Sequence, residues 1–107
     1  MRQTLQVVSE PRRQQILQLI WDGERSAGEI AASVPVSFAA VSQHLGVLRE
    51  AGLVEVRQEG RHRFYRARKQ DLGTLAVYLE AMWNDRLTEL KRLAEDAETE
   101  TRRRSQR

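Results

Sequence analysis

Small and amide side chains lie on one face of a predicted helix at positions 37–44. A glutamine carboxamide there, that of Gln43, can donate and accept hydrogen bonds at the edge of an adenine. Alanine methyl groups can contact a thymine methyl, and serine hydroxyls can bond phosphates. A solvated helix face with no binding role is the alternative. The candidate DNA-contacting residues of this helix are Ser37, Ala39, Ala40, Ser42, Gln43 and His44.

Basic residues dominate positions 57–69, where six of them stand against the single acid Glu59. Their side chains can neutralise phosphates or enter a minor groove. Because side chains alternate between the two faces of a strand, not all of these arginines can face one partner. Arg61 and Arg63, near the tip of the expected hairpin, are the candidates for DNA contact. For the same reason the neighbours Phe64 and Tyr65 point to opposite faces, so at least one belongs to the core.

Helical periodicity predicts four helices, and the fourth contains the small and amide side chains of positions 37–44. Apolar residues spaced by three and four predict a short first helix and a second from about Pro11 to Trp21. Ser26 and Glu29 have the spacing of a capping box that opens a third helix. A fourth helix begins after the N-cap candidate Ser37 and ends at Gly52. The apolar residues that predict its buried face are Phe38, Val41, Leu45 and Leu48.

Strand-like alternation replaces the helical period after Gly52 and predicts a hairpin that turns at Glu59-Gly60. A helix-turn-helix followed by a basic hairpin is the outline of a winged helix. The predicted fold is therefore mainly α with a small β-hairpin, in the order α-α-α-α-β-β-α.

A long amphipathic helix is predicted from Asp71 onwards. Its apolar stripe is wider than one small domain covers, which predicts a homodimer formed through the terminal helices. Trp83 has two interpretations, an anchor in the dimer seam or the wall of a small-molecule pocket. Residues 1–97 are predicted to form the domain, and the basic tail 98–107, which has no apolar residue, is predicted to be disordered. The candidate interface residues are Leu72, Leu75, Leu79, Met82, Trp83, Leu87 and Leu90.

The composition fits one globular domain of 107 residues, with 40% hydrophobic and 31% charged side chains. No apolar run is long enough to span a membrane, and the first ten residues lack the apolar core of a signal peptide. We therefore expect a cytoplasmic protein. The absence of cysteine, of a phosphate-binding GxxxxGK loop and of an HExxH motif argues against an enzyme.

Two binding functions other than duplex DNA recognition are compatible with these residues. A winged helix can serve as a protein-interaction module, with the basic hairpin docked on an acidic partner. RNA is a weaker alternative, because a protruding helix does not enter the deep, narrow major groove of A-form RNA. The small polar face of the fourth helix favours a DNA groove over a protein partner.

The fourth helix and the hairpin resemble those of the ArsR/SmtB family of bacterial repressors, and the resemblance lies in the segment SFAAVSQHLGVLREAGLVEVRQEGRHRFYRA. The upstream segments PRRQQILQLI and SAGEIAASV are similar to the same family. The resemblance implies a dimeric winged helix that binds operator DNA and releases it when a ligand, often a metal ion, binds. It places Ser42, Gln43 and His44 in the DNA-reading segment and Arg61 in the wing.

The chain departs from this family at the positions where metal-sensing members bind their ion. The third helix begins SAGEI and has no thiol, and the only histidines, His44 and His62, lie outside the last helix. Because zinc and arsenic sites need clustered thiolate or imidazole ligands, we expect neither a metal nor another cofactor. The segment WNDRL in the last helix resembles a metal-independent branch, in which the inducer would be an unidentified small molecule.

Overall fold

The computed structural model describes residues 2–105, with side chains for residues 4–86 and 89–102. The chain divides into two compact units, one ending at Gly73 and the other beginning at Thr74. The elements are α1 (Arg2–Ser9), α2 (Pro11–Leu19), β1 (Arg25–Ser26), α3 (Ala27–Ser33), α4 (Phe38–Glu50), β2 (Val54–Glu59), β3 (His62–Ala67), α5 (Lys69–Leu72) and α6 (Thr74–Ser105).

The core of the first unit is formed by aliphatic side chains of α2, α3 and α4, with Ile20 and Leu53 from the segments that follow α2 and α4. Helix α4 packs against α2, α3 and β2, and α1 packs on α2. Burial of this apolar surface is the main term that holds the small unit together. The side chains that are at most 2% exposed here are Ile16, Leu17, Ile20, Ile30, Val41, Leu45, Leu48 and Leu53.

Helices α3 and α4 form a helix-turn-helix in which the two axes are bent by 116°. This angle lies within the roughly 90–120° range of the motif. Serine caps fix both helix starts, since Ser26 Oγ accepts from the Glu29 amide at 3.1 Å and Ser37 Oγ accepts from the Ala40 amide at 3.1 Å. Glu29 Oε1 in turn accepts from the Ser26 amide at 3.2 Å, so the predicted capping box is confirmed.

Removing the capping box should lower stability without altering the fold. Ser26→Ala leaves the Glu29 amide without its side-chain acceptor, and we expect a loss of about 1 kcal/mol. For a unit of this size that loss corresponds to a fall in Tm of roughly 4–8 °C by circular dichroism. Ser42→Ala, an exposed change in the interior of α4, is the matched control. Equal melting of the two variants would contradict the role of the cap.

The sheet has three antiparallel strands in the order β1-β3-β2, one more than the predicted hairpin. Glu59 pairs with His62, so the turn consists of Gly60 and Arg61 rather than of Glu59 and Gly60. Gly60 has a φ of 61°, which glycine adopts without strain. The register sets Val56 opposite Tyr65, and this apolar pairing favours the observed turn over one shifted by a residue.

The last helix differs from the prediction at both ends. A short helix, α5, comes first, and Gly73, at a φ of 54°, separates it from α6. At the other end α6 continues through residues 98–105, where the sequence predicted a disordered tail. An ion pair of 3.3 Å between Glu98 and Arg102, four residues apart, supports the helix there. The division into one domain and a tail remains a prediction.

Across residues 2–105, we find no single helix long and apolar enough to cross a membrane. Helices α3 and α4 pass the same test of length and composition only as a pair joined across their 116° bend.

Candidate nucleic-acid interface

Helix α4 separates a buried face from a polar face, as the sequence predicted. Val41, Leu45 and Leu48 are buried, whereas Ser42 and Gln43 are exposed. Of the two alanines in the predicted set, Ala39 is exposed and Ala40 is half-buried. The structure thus brings the small and amide side chains together on the outside of one helix, where Gln43 is free to meet a partner.

Ser37 caps helix α4 and is also a candidate contact for a DNA phosphate. Its Oγ accepts the hydrogen bond from the Ala40 amide, which uses an acceptor site but leaves the hydroxyl hydrogen available to donate. The side chain is exposed at the N-terminus of α4, where the helix dipole favours an anion. Ser37 is therefore placed where it can cap the helix and contact a phosphate at once.

His44 is less accessible than Ser42 and Gln43, with 22% of its side chain exposed. Its Nδ1 lies 3.8 Å from Oε2 of Glu10, which is the N-cap of α2. Burial raises the pKa of Glu10, but hydrogen bonds from the amides of Arg13 and Arg12, with the charges of His44 and Arg13, lower it overall. His44 therefore connects α4 to the start of α2, a contact that the sequence did not indicate.

The wing, defined as β2, β3 and their turn, presents its basic residues at different places. Arg61 occupies the turn and is exposed, and Arg63 is exposed on β3 opposite Gln58. Among the described side chains, no carboxylate pairs with the guanidinium of Arg61 or Arg63. Both guanidinium groups near the tip are therefore available to an external anion, which a residue that contacts DNA requires.

Arg57 is held by the protein itself, in what we call the Arg57 clamp: Arg57, Glu24, Glu59 and Phe64. Its Nη2 lies 2.6 Å from Glu24 Oε1, its Nη1 lies 2.7 Å from Glu59 Oε2, and its guanidinium carbon is 4.6 Å from the centre of the Phe64 ring. Hydrogen bonds to Glu24 and Glu59 raise the pKa of Arg57, and the bond from Arg57 lowers the pKa of Glu24. Arg57, one of the six basic residues of positions 57–69, therefore has its charge compensated within the protein.

The two adjacent aromatic residues of β3 have separate roles. Tyr65 is buried, which confirms that at least one of the pair belongs to the core. Phe64 is half-buried beneath Arg57 on the other face of the sheet.

Two features of the surface were missed from the sequence. Phe38 was predicted in the buried face of α4 but, as the first residue of the helix, is 58% exposed, whereas Val41 is buried. Glu24 lies 33 positions before Arg57, so no local pattern reports their contact.

The candidate dimer residues fall into three groups. Leu72, Leu79 and Trp83 are buried, and Leu72 belongs to α5 rather than to the last helix. Leu75 and Met82 are half-buried, whereas Leu90 is 63% exposed. Leu87 lies outside the side chains that the structure describes. Leu93, which was not among the candidates, is also exposed on α6.

No group of three or more histidine, cysteine, aspartate or glutamate residues in the described part of the chain is placed to hold a metal ion.

The arrangement of a helix-turn-helix, an exposed polar face on α4 and a basic β-hairpin defines the winged helix-turn-helix class of DNA-binding domains.

Comparison with known proteins agrees with this class. Residues 10–56 match the family model described as "Bacterial regulatory protein, arsR family". The biofilm growth-associated repressor of Agrobacterium fabrum is 35% identical over 74% of this chain and 68% of its own length. The transcriptional activator HlyU of Vibrio cholerae is 34% identical over 74% of this chain and 73% of its own length. A longer relative, the regulator Rv0324 of Mycobacterium tuberculosis, is 33% identical over 79% of this chain, which spans 38% of that protein.

Two solved structures are similar over most of the chain. A "possible transcriptional regulator for arsenical resistance" has a TM-score of 0.65 and 44% identity, covering 90% of this chain and 96% of that one. The homodimeric winged helix-turn-helix DNA-binding domain of Mb0332 from Mycobacterium bovis has a TM-score of 0.68 and 30% identity, covering 78% of each chain. The chain belongs to the ArsR family of bacterial regulatory proteins and is a transcriptional regulator.

Proposed function

We propose that the chain is a repressor that binds a specific double-stranded DNA operator as a homodimer. The observation that carries the proposal is the combination of an exposed amide and alanine face on α4 with unpaired arginines at the tip of the wing. The helix face supplies groups that distinguish bases, and the arginines supply charge that binds any phosphate backbone. The proposed contacts are Ser37, Ala39, Ala40, Ser42, Gln43, His44, Arg61 and Arg63.

Dimer formation is supported by the apolar side chains that α6 leaves exposed. Leu90 and Leu93 are three residues apart and share one side of the helix. A single chain gains nothing from exposing them, whereas a second copy would remove both from water. The homodimer of the Mycobacterium bovis domain supports the same assembly. Two-fold symmetry would place two copies of α4 about one turn of DNA apart, roughly 34 Å, and so require a palindromic operator.

In this proposal the bound dimer represses by occluding a promoter. A cytoplasmic location is part of the same proposal, because the operator would be found there. The named relatives include a repressor and an activator, so the sign of regulation is tested by transcription in vitro from the target promoter. An unidentified small molecule remains the proposed inducer. The alternative of a protein-interaction module is less well supported, because Ala39, Ser42 and Gln43 make α4 a poor apolar docking surface.

The direct test is fluorescence anisotropy with labelled duplexes from the region upstream of the gene, a scrambled duplex and two salt concentrations. The proposal expects tight binding to one upstream duplex, weaker binding to the scrambled one, and loss of affinity with salt. Equal weak binding to both duplexes would reject a sequence-specific regulator at this site and favour an acidic protein partner for the wing.

Arg61→Ala should weaken binding to the operator and to scrambled DNA by the same factor. Arg61 is exposed at the tip and neutralises phosphate rather than reading bases, so its loss should make the salt dependence shallower by about one unit of slope per contact. Anisotropy at four or more salt concentrations measures both effects. Arg92→Ala, which removes the same charge from α6, is the control and should leave the slope unchanged. A loss confined to the operator would contradict the phosphate role.

A further inference from the structure

The exposed ring of Phe38 stands out among the side chains of the helix-turn-helix and wing. Six large apolar side chains are exposed among those described, and the other five lie on α1 and α6. Phe38 alone belongs to the helix-turn-helix and wing, as the first residue of α4, and it is 58% exposed. Neither the core nor the N-terminal cap requires it, since Val41 begins the buried face and Ser37 supplies the cap.

The position of Phe38 directs it towards whatever meets the N-terminus of α4. Side chains on a helix lean towards its N-terminal end, so a residue at the first position projects past that end. Phe38 and Ser42 are four residues apart and share one side of α4, between the buried face and the face that contains Gln43. In helix-turn-helix proteins the N-terminal residues of the recognition helix are those that reach base edges in the major groove.

The chemistry of the ring limits what it can recognise there. Phenylalanine has no hydrogen-bonding group, so it cannot read the donor and acceptor pattern of a base edge. The one apolar group in the major groove is the C5 methyl of thymine. Burial of the ring against this methyl would remove apolar surface of both partners from water.

We propose that Phe38 reads a thymine methyl in each half-site and is a specificity-determining residue. The proposal rests on the proposed function, because it requires α4 to lie in the major groove. It adds an apolar contact to the hydrogen-bonding contact of Gln43, so that two chemically different readers act from the same helix.

The test uses the full chain and an operator selected from a random duplex pool by the unchanged protein. Each thymine of one half-site is replaced in turn by uracil, which lacks only the methyl group. The unchanged protein should bind about fourfold more weakly at one such position, the effect of losing one buried methyl. Phe38→Ala should lose this sensitivity at that position, and Phe38→Leu should retain part of it. Gln18→Ala, which truncates an exposed side chain of α2 outside the proposed contacts, should keep the uracil effect of Phe38.

The outcomes distinguish a failure of the role proposed for Phe38 from a failure of the proposed function. If the unchanged protein is insensitive to every uracil, or if Phe38→Ala keeps the same sensitivity, Phe38 does not read a thymine methyl although the protein still binds its operator. If the pool yields no preferred sequence, the proposed function fails and the role of Phe38 fails with it. Thermal unfolding of both Phe38 variants should match that of the unchanged protein, because the ring is largely exposed.

Discussion

Leu90→Glu is expected to convert the protein from a dimer into a monomer. Leu90 is exposed on α6, so a charge there costs the folded single chain little, but it would be trapped without a partner in an apolar seam. Light scattering after size-exclusion chromatography should show the mass of one chain. Affinity for the palindromic operator should fall by about 10²-fold or more, because each α4 would then bind its half-site independently.

Asn84→Glu is the matched control for this change. It introduces the same charge into the same helix at an exposed position away from the stripe that contains Leu90 and Leu93. The control should remain dimeric and bind the operator normally. A Leu90→Glu protein that stayed dimeric would remove this part of α6 from the interface, whereas monomers of both variants would indicate a general sensitivity of the helix to charge.

Gln43→Ala should abolish most of the sequence preference while leaving non-specific binding intact. A bidentate contact between a glutamine amide and adenine contributes about 1–3 kcal/mol of discrimination, or roughly 5- to 150-fold for each half-site. Anisotropy should therefore show a large loss for the operator and almost none for a scrambled duplex. The slope of affinity against salt should stay the same, since no charge is removed.

Gln18→Ala provides the comparison, because it deletes an exposed amide from α2 rather than from α4. It should bind both duplexes like the unchanged protein. If Gln43→Ala weakened both duplexes alike, Gln43 would act on the DNA backbone or on the fold. If it weakened neither, the polar face of α4 would not be the base-reading face.

The features that the sequence predicted correctly are those set by short-range chemistry. The capping box of Ser26 and Glu29 joins groups three residues apart, and the buried side of α4 repeats every three to four residues at Val41, Leu45 and Leu48. Such spacing can be recognised in the sequence, because residues three to four positions apart become neighbours in a helix. The same local signals placed Gln43 on the exposed side of α4 and Arg61 near the tip of the hairpin.

The features that were missed depend on contacts between distant segments or on the ends of elements. Strand β1 has only Arg25 and Ser26, too few for alternation, and exists through its pairing with β3. The hairpin turn was misplaced by one residue because the register follows from pairs such as Val56 with Tyr65. Phe38 fits the periodicity of the buried face but is exposed at the first position of the helix, because periodicity does not report where along a helix its packing partners end.

The compensation of Arg57 by Glu24 and Glu59 has an evolutionary consequence. The wing contains more positive charge than it offers to a partner, because Glu24 and Glu59, two exposed carboxylates outside α4, compensate the charge of Arg57. Mutations at those carboxylates would leave the charge of Arg57 uncompensated. The added positive charge would strengthen attraction to any duplex without altering the groups that distinguish bases. Selection can therefore adjust how strongly this regulator occupies DNA and which sequence it prefers through separate positions of a 107-residue chain.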